Sequence, residues 1–286
     1  MSEPNHKEIA FQKRKEKFLT DLDVRESFGI EIGPLGSPLV TKAEGKIIYV
    51  DHTEAANLRE RYRGNPIVDC DKIVEVDAIW GENTIAQAIG LEKVDYVLAS
   101  HVVEHVPDLI TWLQELRSVL KPTGQVRLLV PDRRYTFDYL RRESRIHDVL
   151  RNYWMRARRP PPHSVLEFNF YSSPVDMVKA WDGLLDTSEL IPTSSYSRAV
   201  EMAEEAKKGT YHDTHCWVFT PQSFAHLFGE LAEFGFIDFA CERFWDTVRY
   251  EIEFSVVLRP SSDKEATVES WRKMAASALK SGIARA

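Results

Sequence analysis

Short apolar runs alternate with amphipathic stretches through the first half of the chain, and each run breaks at a polar or turn residue. Phe28-Gly-Ile-Glu-Ile32, Lys46-Ile-Ile-Tyr-Val50, Ile73-Val-Glu-Val76, Asp95-Tyr-Val-Leu-Ala99 and Val126-Arg-Leu-Leu-Val130 have the length and aliphatic content of buried strands. Between them, Thr53–Tyr62, Thr84–Ile89 and Pro107–Leu120 read as helices. In the last of these, Leu109, Trp112, Leu113, Leu116 and Leu120 share one face, and Pro122 and Gly124 close it. Strands and helices in this alternation predict a parallel sheet wound on both faces. The pattern breaks at Arg133, and residues 133–212 are aromatic and irregular, with Arg158-Arg-Pro-Pro-Pro162 as an interruption. Order returns at Thr220-Pro221, which opens a helix to about Phe234. Apolar strands follow over Phe236–Glu242 and Glu251–Leu258, then a terminal helix. The predicted organisation is an N-terminal helical segment (1–27), half of an α/β domain (28–132), an inserted lid (133–212), the remainder of that domain (213–260) and a C-terminal helix (261–286).

The chain has 286 residues, 43% hydrophobic and 28% charged, which suffices for a full core and argues against disorder. A net charge of −7 weighs against a nucleic-acid partner, since phosphate binding needs a concentrated basic surface. No run approaches the ~18 apolar residues of a membrane span. The polar N-terminus MSEPNHKEIAFQKRKEKF lacks the apolar core of a signal peptide. Cys70, Cys216 and Cys241 lie far apart and form no CxxC pair, as expected of reduced thiols. A cytoplasmic protein with no membrane partner is expected.

In an open α/β sheet, ligands bind beyond the carboxyl ends of the strands. Here the first run ends in Glu31-Ile-Gly33-Pro34, and Gly33, lacking a Cβ, permits a sharp turn and close approach to a ligand. Asp51 ends the second run, where an acidic residue accepts hydrogen bonds from ribose hydroxyls. Asp77 ends the third, and Ser100-His101 the fourth. A nicotinamide site would require G-x-G-x-x-G, but from Gly33 those positions hold Gly33, Leu35 and Pro38. The pyrophosphate turn is absent, and an adenosyl ligand without phosphates needs none.

Gly29-Ile-Glu-Ile-Gly-Pro34, Tyr49-Val-Asp51, Val76-Asp77-Ala78, Ala99-Ser-His-Val-Val-Glu-His-Val-Pro-Asp108 and Leu120-Lys-Pro-Thr-Gly124, in this order and spacing, resemble the motifs of class I S-adenosylmethionine-dependent methyltransferases. The resemblance implies a Rossmann-like, doubly wound, seven-stranded sheet, mostly parallel with an antiparallel last strand. It also implies S-adenosylmethionine as cofactor. Glu31, Gly33 and Pro34 would flank its methionine part, Asp51 and His52 its ribose, Asp77 and Ala78 its adenine, and Ser100 and His101 its sulfonium. The sequence departs from the family at Leu35 and Ser37, where glycine is common. Pro131-Asp-Arg-Arg-Tyr-Thr-Phe-Asp138 and His215-Cys-Trp-Val-Phe-Thr-Pro221 are similar to a bacterial, methyltransferase-type-11-like branch often found with surface-polysaccharide biosynthesis. That likeness implies O-methylation of a small molecule or glycan precursor. A protein or RNA methyltransferase, or a non-catalytic scaffold retaining the fold, is the alternative.

Methyl transfer requires alignment of the nucleophile and exclusion of water, and an oxygen nucleophile also needs a base. Asp132, Arg133, Arg134 and Tyr135, following the fifth strand, are the candidate acceptor contacts. The arginine-rich stretch from Arg133 to Arg159 would either bind an anionic acceptor or form a solvated face with local acidic partners. His212, Asp213 and His215 offer a base with an orienting carboxylate. The same residues could instead ligate a metal with Asp132 or be purely structural. His101, Glu104 and His105 share the order of a metallopeptidase motif, but the methyltransferase motif accounts for them, and no metal is expected there.

Overall fold

The computed structural model describes residues 6–66, 68–90 and 92–283. The ends of the two expected terminal helices, residues 1–5 and 284–286, lie outside the described residues. Seven strands hydrogen-bond in the order β3-β2-β1-β4-β5-β7-β6, a mostly parallel sheet with one antiparallel pair. They are β1 (Phe28–Ile32), β2 (Lys46–Asp51), β3 (Ala78–Ile79), β4 (Val94–Ser100), β5 (Leu120–Pro131), β6 (Phe239–Trp245) and β7 (Glu253–Pro260). No helix of the described residues is long and apolar enough to cross a membrane.

The chain divides into two compact units, residues 1–99 with 119–127, and residues 100–118 with 128–286. The first contains the parallel strands whose ends were expected to bind a ligand. β1 pairs β2 with Ile32 opposite Val50, and pairs β4 with Ile32 opposite Ala99, so the three strands finish level. The strand order reverses between β1 and β4, which is where open α/β sheets place ligands. Ile30, Val50, Val97 and Leu98 are fully buried, as expected for central parallel strands covered on both faces. Gly29 is required by packing, because a Cβ there would lie 2.1 Å from the Tyr96 ring. Helix α1 (His6–Phe18) is tied to β5 by the buried Arg127 guanidinium, which donates to Phe18 O and, at 2.8 Å, to Thr20 O.

Three expected elements of this unit shift. The fifth strand, expected from Val126, begins at Leu120, so Pro122 and Gly124 lie within it rather than closing the preceding helix. The third strand is not Ile73–Val76: residues 70–72 form a single 3-10 turn, and β3 is the two-residue pair Ala78–Ile79. The reason lies in Asp77, which donates its amide to Tyr49 O (2.9 Å) while its carboxylate accepts the Tyr49 amide (2.8 Å). A side chain thus takes the place that a longer ladder would fill. Helix α2 runs Ala55–Arg61 with Glu54 at its N-cap, starting two residues after the expected Thr53. Helix α3 (Ile85–Ala88) opens as expected on Thr84, whose hydroxyl and the Gln87 side chain form a reciprocal capping box.

The second unit carries helix α4 (Leu109–Val119), the antiparallel β6–β7 pair and most of the helices. The stretch 133–212, expected to be a helical and irregular lid, carries four short helices among irregular segments: α5 (Ile146–Trp154), α6 (Pro162–Tyr171), α7 (Met177–Trp181) and α8 (Tyr196–Lys207). These helices are short and separated by proline and glycine, which obscures their periodicity in the sequence. Helix α9 (Pro221–Glu233) starts at Thr220 and Pro221 as predicted, and buries Phe224 and Phe228, stacked at 4.0 Å, close to Trp271 of α10 (Lys264–Ile283).

Candidate functional site

In the first unit, β1 ends in Gly33, which adopts φ +64° and donates its amide to Val50 O (2.9 Å), locking the turn to β2. Pro34 O accepts the Ser37 amide (3.0 Å), and Leu35 also has positive φ. The loop then folds back onto Glu31, whose carboxylate accepts the amides of Leu39 (2.8 Å) and Val40 (3.2 Å). Burial pushes the Glu31 carboxyl up to about 7, outweighing those two amides and the charges of Lys15 and Arg14. Glu31 therefore holds the loop in shape through its own side chain.

Asp51 ends β2 and is 6% exposed. Its Oδ1 accepts the His52 amide (2.7 Å) and lies 2.6 Å from His52 Nδ1. Among the described residues no donor reaches its other oxygen, Oδ2. Asp77 is committed to the Tyr49 amide and to the Lys42 ammonium, and Ala78 is buried in β3.

In the second unit, Ser100 closes β4 and His101 follows with φ +53°. His101 donates its amide to Leu129 O (3.0 Å), and its Nε2 lies 2.5 Å from Glu253 Oε2. Three residues on, Glu104 is completely buried, and among the described residues neither of its carboxylate oxygens takes a hydrogen bond. Imidazole nitrogens of His101, His105 and His215 stand 3.7, 3.9 and 4.0 Å from Glu104 Oε1. The Glu104 carbonyl accepts the amides of Cys216 (2.6 Å) and Trp217 (3.1 Å), which brings His215 alongside.

His212, Asp213 and His215 do not act as one group. Asp213 Oδ1 lies 2.9 Å from His105 Nδ1. His215 Nδ1 instead meets Asp138 Oδ2 at 2.6 Å, and His212 turns to Glu205 at 3.1 Å. His105 is pushed up to about 9: burial opposes the charged imidazole, but the adjacent Asp213 carboxylate, with Glu104 and Asp138 behind, outweighs it. Asp138 goes the other way, down to about 2, because His215 and Arg141 outweigh its burial. The Arg141 guanidinium, itself buried, joins Asp138 (2.8 Å), Glu167 and His215 O (2.9 Å).

Of the candidate acceptor contacts, Asp132 is buried and spent on Arg134, binding its Nη2 at 2.6 Å, and on the Thr247 hydroxyl at 2.7 Å. It therefore positions Arg134. Arg133, Arg134 and Tyr135 line a cavity of about 510 Å³ with Tyr139, Trp181 and Asp182. Tyr135 lies flat on Trp181, ring centroids 3.9 Å apart. The arginines further on have partners near and far: Arg142 with Asp148 six positions on, Arg158 with Glu115, and Arg159 with the Gly209 carbonyl.

No role was assigned from the sequence to Asp138, the last residue of the Pro131–Asp138 segment, or to Arg141 within the arginine-rich stretch, and Glu167 and Glu253 lie in no motif. The H-x-x-E-H order of His101, Glu104 and His105 was a visible signal for the cluster's centre.

A family model described as a methyltransferase domain matches residues 50–236. No curated protein matches by sequence. Among solved structures, a candidate Zn-dependent alcohol dehydrogenase of Rhodobacter sphaeroides is 14% identical, with 87% of this chain and 90% of that one covered and a TM-score of 0.47. The PH0226 protein of Pyrococcus horikoshii OT3 is 14% identical over 90% of this chain and 93% of its own, with a TM-score of 0.38. The CcbJ methyltransferase of Streptomyces caelestis is 13% identical over 48% of this chain and 59% of its own, with a TM-score of 0.32.

Proposed function

The chain belongs to the methyltransferase domain family, and on that premise we propose that it transfers a methyl group from S-adenosylmethionine to an oxygen of a small molecule or glycan precursor. The observation that carries the cofactor assignment is Asp51, a nearly buried carboxylate at the end of β2 with one oxygen fixed by His52 and the other open. A ribose offers two hydroxyl donors, and such an oxygen, already desolvated and oriented, accepts them at little further cost. The turn at Gly33 leaves room for the methionine end, with Glu31 holding the loop and Pro34 stiffening it. Asp77 is occupied by Lys42 and Tyr49, so the adenine is expected to meet the backbone around Ala78 rather than the Asp77 carboxylate. Ser100 and His101 are proposed for the sulfonium end.

When bound, S-adenosylmethionine supplies a methyl group already activated on sulfur. The chain's task is to desolvate and align the acceptor and to take its proton. For the acceptor we propose the cavity at Arg133, Arg134 and Tyr135, whose aromatic floor and paired guanidinium suit a hydroxylated ring. For the proton we propose His215, its Nδ1 held by Asp138, with Glu104 near its other nitrogen. Asp213 supports the neighbouring His105, and His212 lies outside this set.

Calorimetry with S-adenosylhomocysteine tests the cofactor half. Asp51→Ala removes two charge-assisted hydrogen bonds worth about 1.5 kcal/mol or more each, so affinity is expected to fall about 100-fold. Equal affinity of the variant withdraws the ribose assignment, and a flat wild-type titration leaves a non-catalytic scaffold. Labelled S-adenosylmethionine offered with hydroxylated and amine acceptors tests the other half; label entering only nitrogen overturns the oxygen acceptor.

A further inference from the structure

A wholly buried carboxylate without hydrogen bonds is strongly disfavoured unless positive charge is placed against it, and Glu104 is in that position. Its imidazole neighbours at 3.7–4.0 Å are too distant for hydrogen bonds. They are spaced instead like groups around a shared centre. One ligand atom each from Glu104, His105 and His215 fall within 4.8 Å of one another.

The second sign is how the rings are held. The nitrogen that His105 does not offer to Glu104 has the Asp213 carboxylate beside it at ion-pair distance, 2.9 Å, and the corresponding nitrogen of His215 is hydrogen-bonded to Asp138 at 2.6 Å. Asp138 is fixed in turn by Arg141 at 2.8 Å. The Asp138 hydrogen bond sets the tautomer of His215 and turns its other nitrogen inward, the arrangement that accompanies ligating histidines, and Asp213 stands on the matching side of His105. A cluster needed only for packing has no reason to aim two imidazoles, each braced from behind, at one carboxylate.

We infer that Glu104, His105 and His215 form a binding site for a divalent transition-metal ion, with two imidazoles and one carboxylate as protein ligands. This donor set suits zinc or ferrous iron; magnesium and calcium favour oxygen alone. Three protein ligands leave a position for water or for an acceptor's oxygen. Tetrahedral ligands about 2.0–2.1 Å from an ion stand about 3.3 Å apart, so on binding each imidazole closes on Glu104 by roughly half an ångström, and the two imidazole nitrogens, within 4.8 Å of each other, approach by up to about 1.5 Å. His105, its side chain 30% exposed, gives the ion a way in. Binding does not depend on the methyl-transfer reading. It does compete with the base role of His215, because one nitrogen cannot hold both an ion and the acceptor's proton.

Zn2+ is the probe. Full-length protein stripped with a chelator and dialysed against Zn2+ is expected to retain one ion per chain, read by atomic emission. Glu104→Gln, nearly isosteric, is expected to weaken uptake at least 100-fold. Asp213→Asn alters a residue that touches no ion, and is expected to weaken it about 10- to 100-fold. Co2+ should give visible absorption without the sulfur charge-transfer band that binding at cysteine would add. Circular dichroism establishes that each variant is folded, and if Glu104→Gln is not, Asp213→Asn decides. No Zn2+ uptake by the wild-type chain, undiminished uptake by the folded variants, or a sulfur band with Co2+ overturns the site. None of these outcomes bears on S-adenosylhomocysteine binding, so the two proposals fail separately.

Discussion

Glu31 and Glu104 are both buried glutamates, each close to the carboxyl end of a parallel strand, and they are satisfied in opposite ways. Glu31 accepts two backbone amides from residues eight and nine positions later. Glu104 accepts no hydrogen bond from the described residues, and its surroundings come from His101, His105 and the far segment at His215. The first is a loop anchor hydrogen-bonded by the chain it shapes, which offsets part of the cost of its burial. The second faces the imidazoles of two sequence neighbours, His101 and His105, and that of His215, which tertiary folding delivers. A buried acid that is locally satisfied reads as architecture; one ringed by braced imidazoles reads as a site.

The largest expected effect falls on the side of that comparison built by tertiary structure. Asp138→Ala leaves the buried Arg141 guanidinium and His215 Nδ1 without their shared partner, and breaking such a pair costs about 3–5 kcal/mol. Urea unfolding measures it, and a loss below about 1 kcal/mol would show the network to be far more solvated than its burial indicates.

Glu31 is expected to act through pH. Its folded carboxyl, pushed up to about 7 by burial from the ordinary 4.5, holds its proton more tightly than the unfolded chain does. Its contribution to stability is therefore full below about pH 4.5, declines as pH rises, and is gone above about pH 7. At about 1.4 kcal/mol per pH unit, wild type should lose about 3 kcal/mol relative to Glu31→Gln across that window. Parallel pH profiles for the two proteins would remove Glu31 as the buried acid.

The smallest effect belongs to a wholly local device. Thr84→Ala removes the hydroxyl that caps α3 through the Gln87 amide at 3.2 Å, with an expected cost of about 1 kcal/mol and no change in Zn2+ uptake or cofactor affinity. A cost as large as that of Asp138→Ala would erase the distinction between local and tertiary satisfaction.

What could be read from the sequence follows the range of the interactions. The strand ends at Gly33, Asp51 and Ser100 and the helix opening at Thr220-Pro221 stand where the apolar periodicity and turn residues put them, because neighbours in sequence fix them. The third strand was misplaced because a single side chain, Asp77, substitutes for ladder hydrogen bonds to Tyr49. The helices between residues 146 and 207 were hidden by their brevity and by prolines.

The chain alone determined the alternation of strand and helix, the order of the sheet's family motifs and the acid at the end of β2, since each depends on spacing within a few tens of residues. Tertiary structure alone decided that His215 answers to Asp138 and His105 to Asp213, and that His101 meets Glu253 across 152 positions. Electrostatic partnership depends on distance in space, and no periodicity along the chain records it.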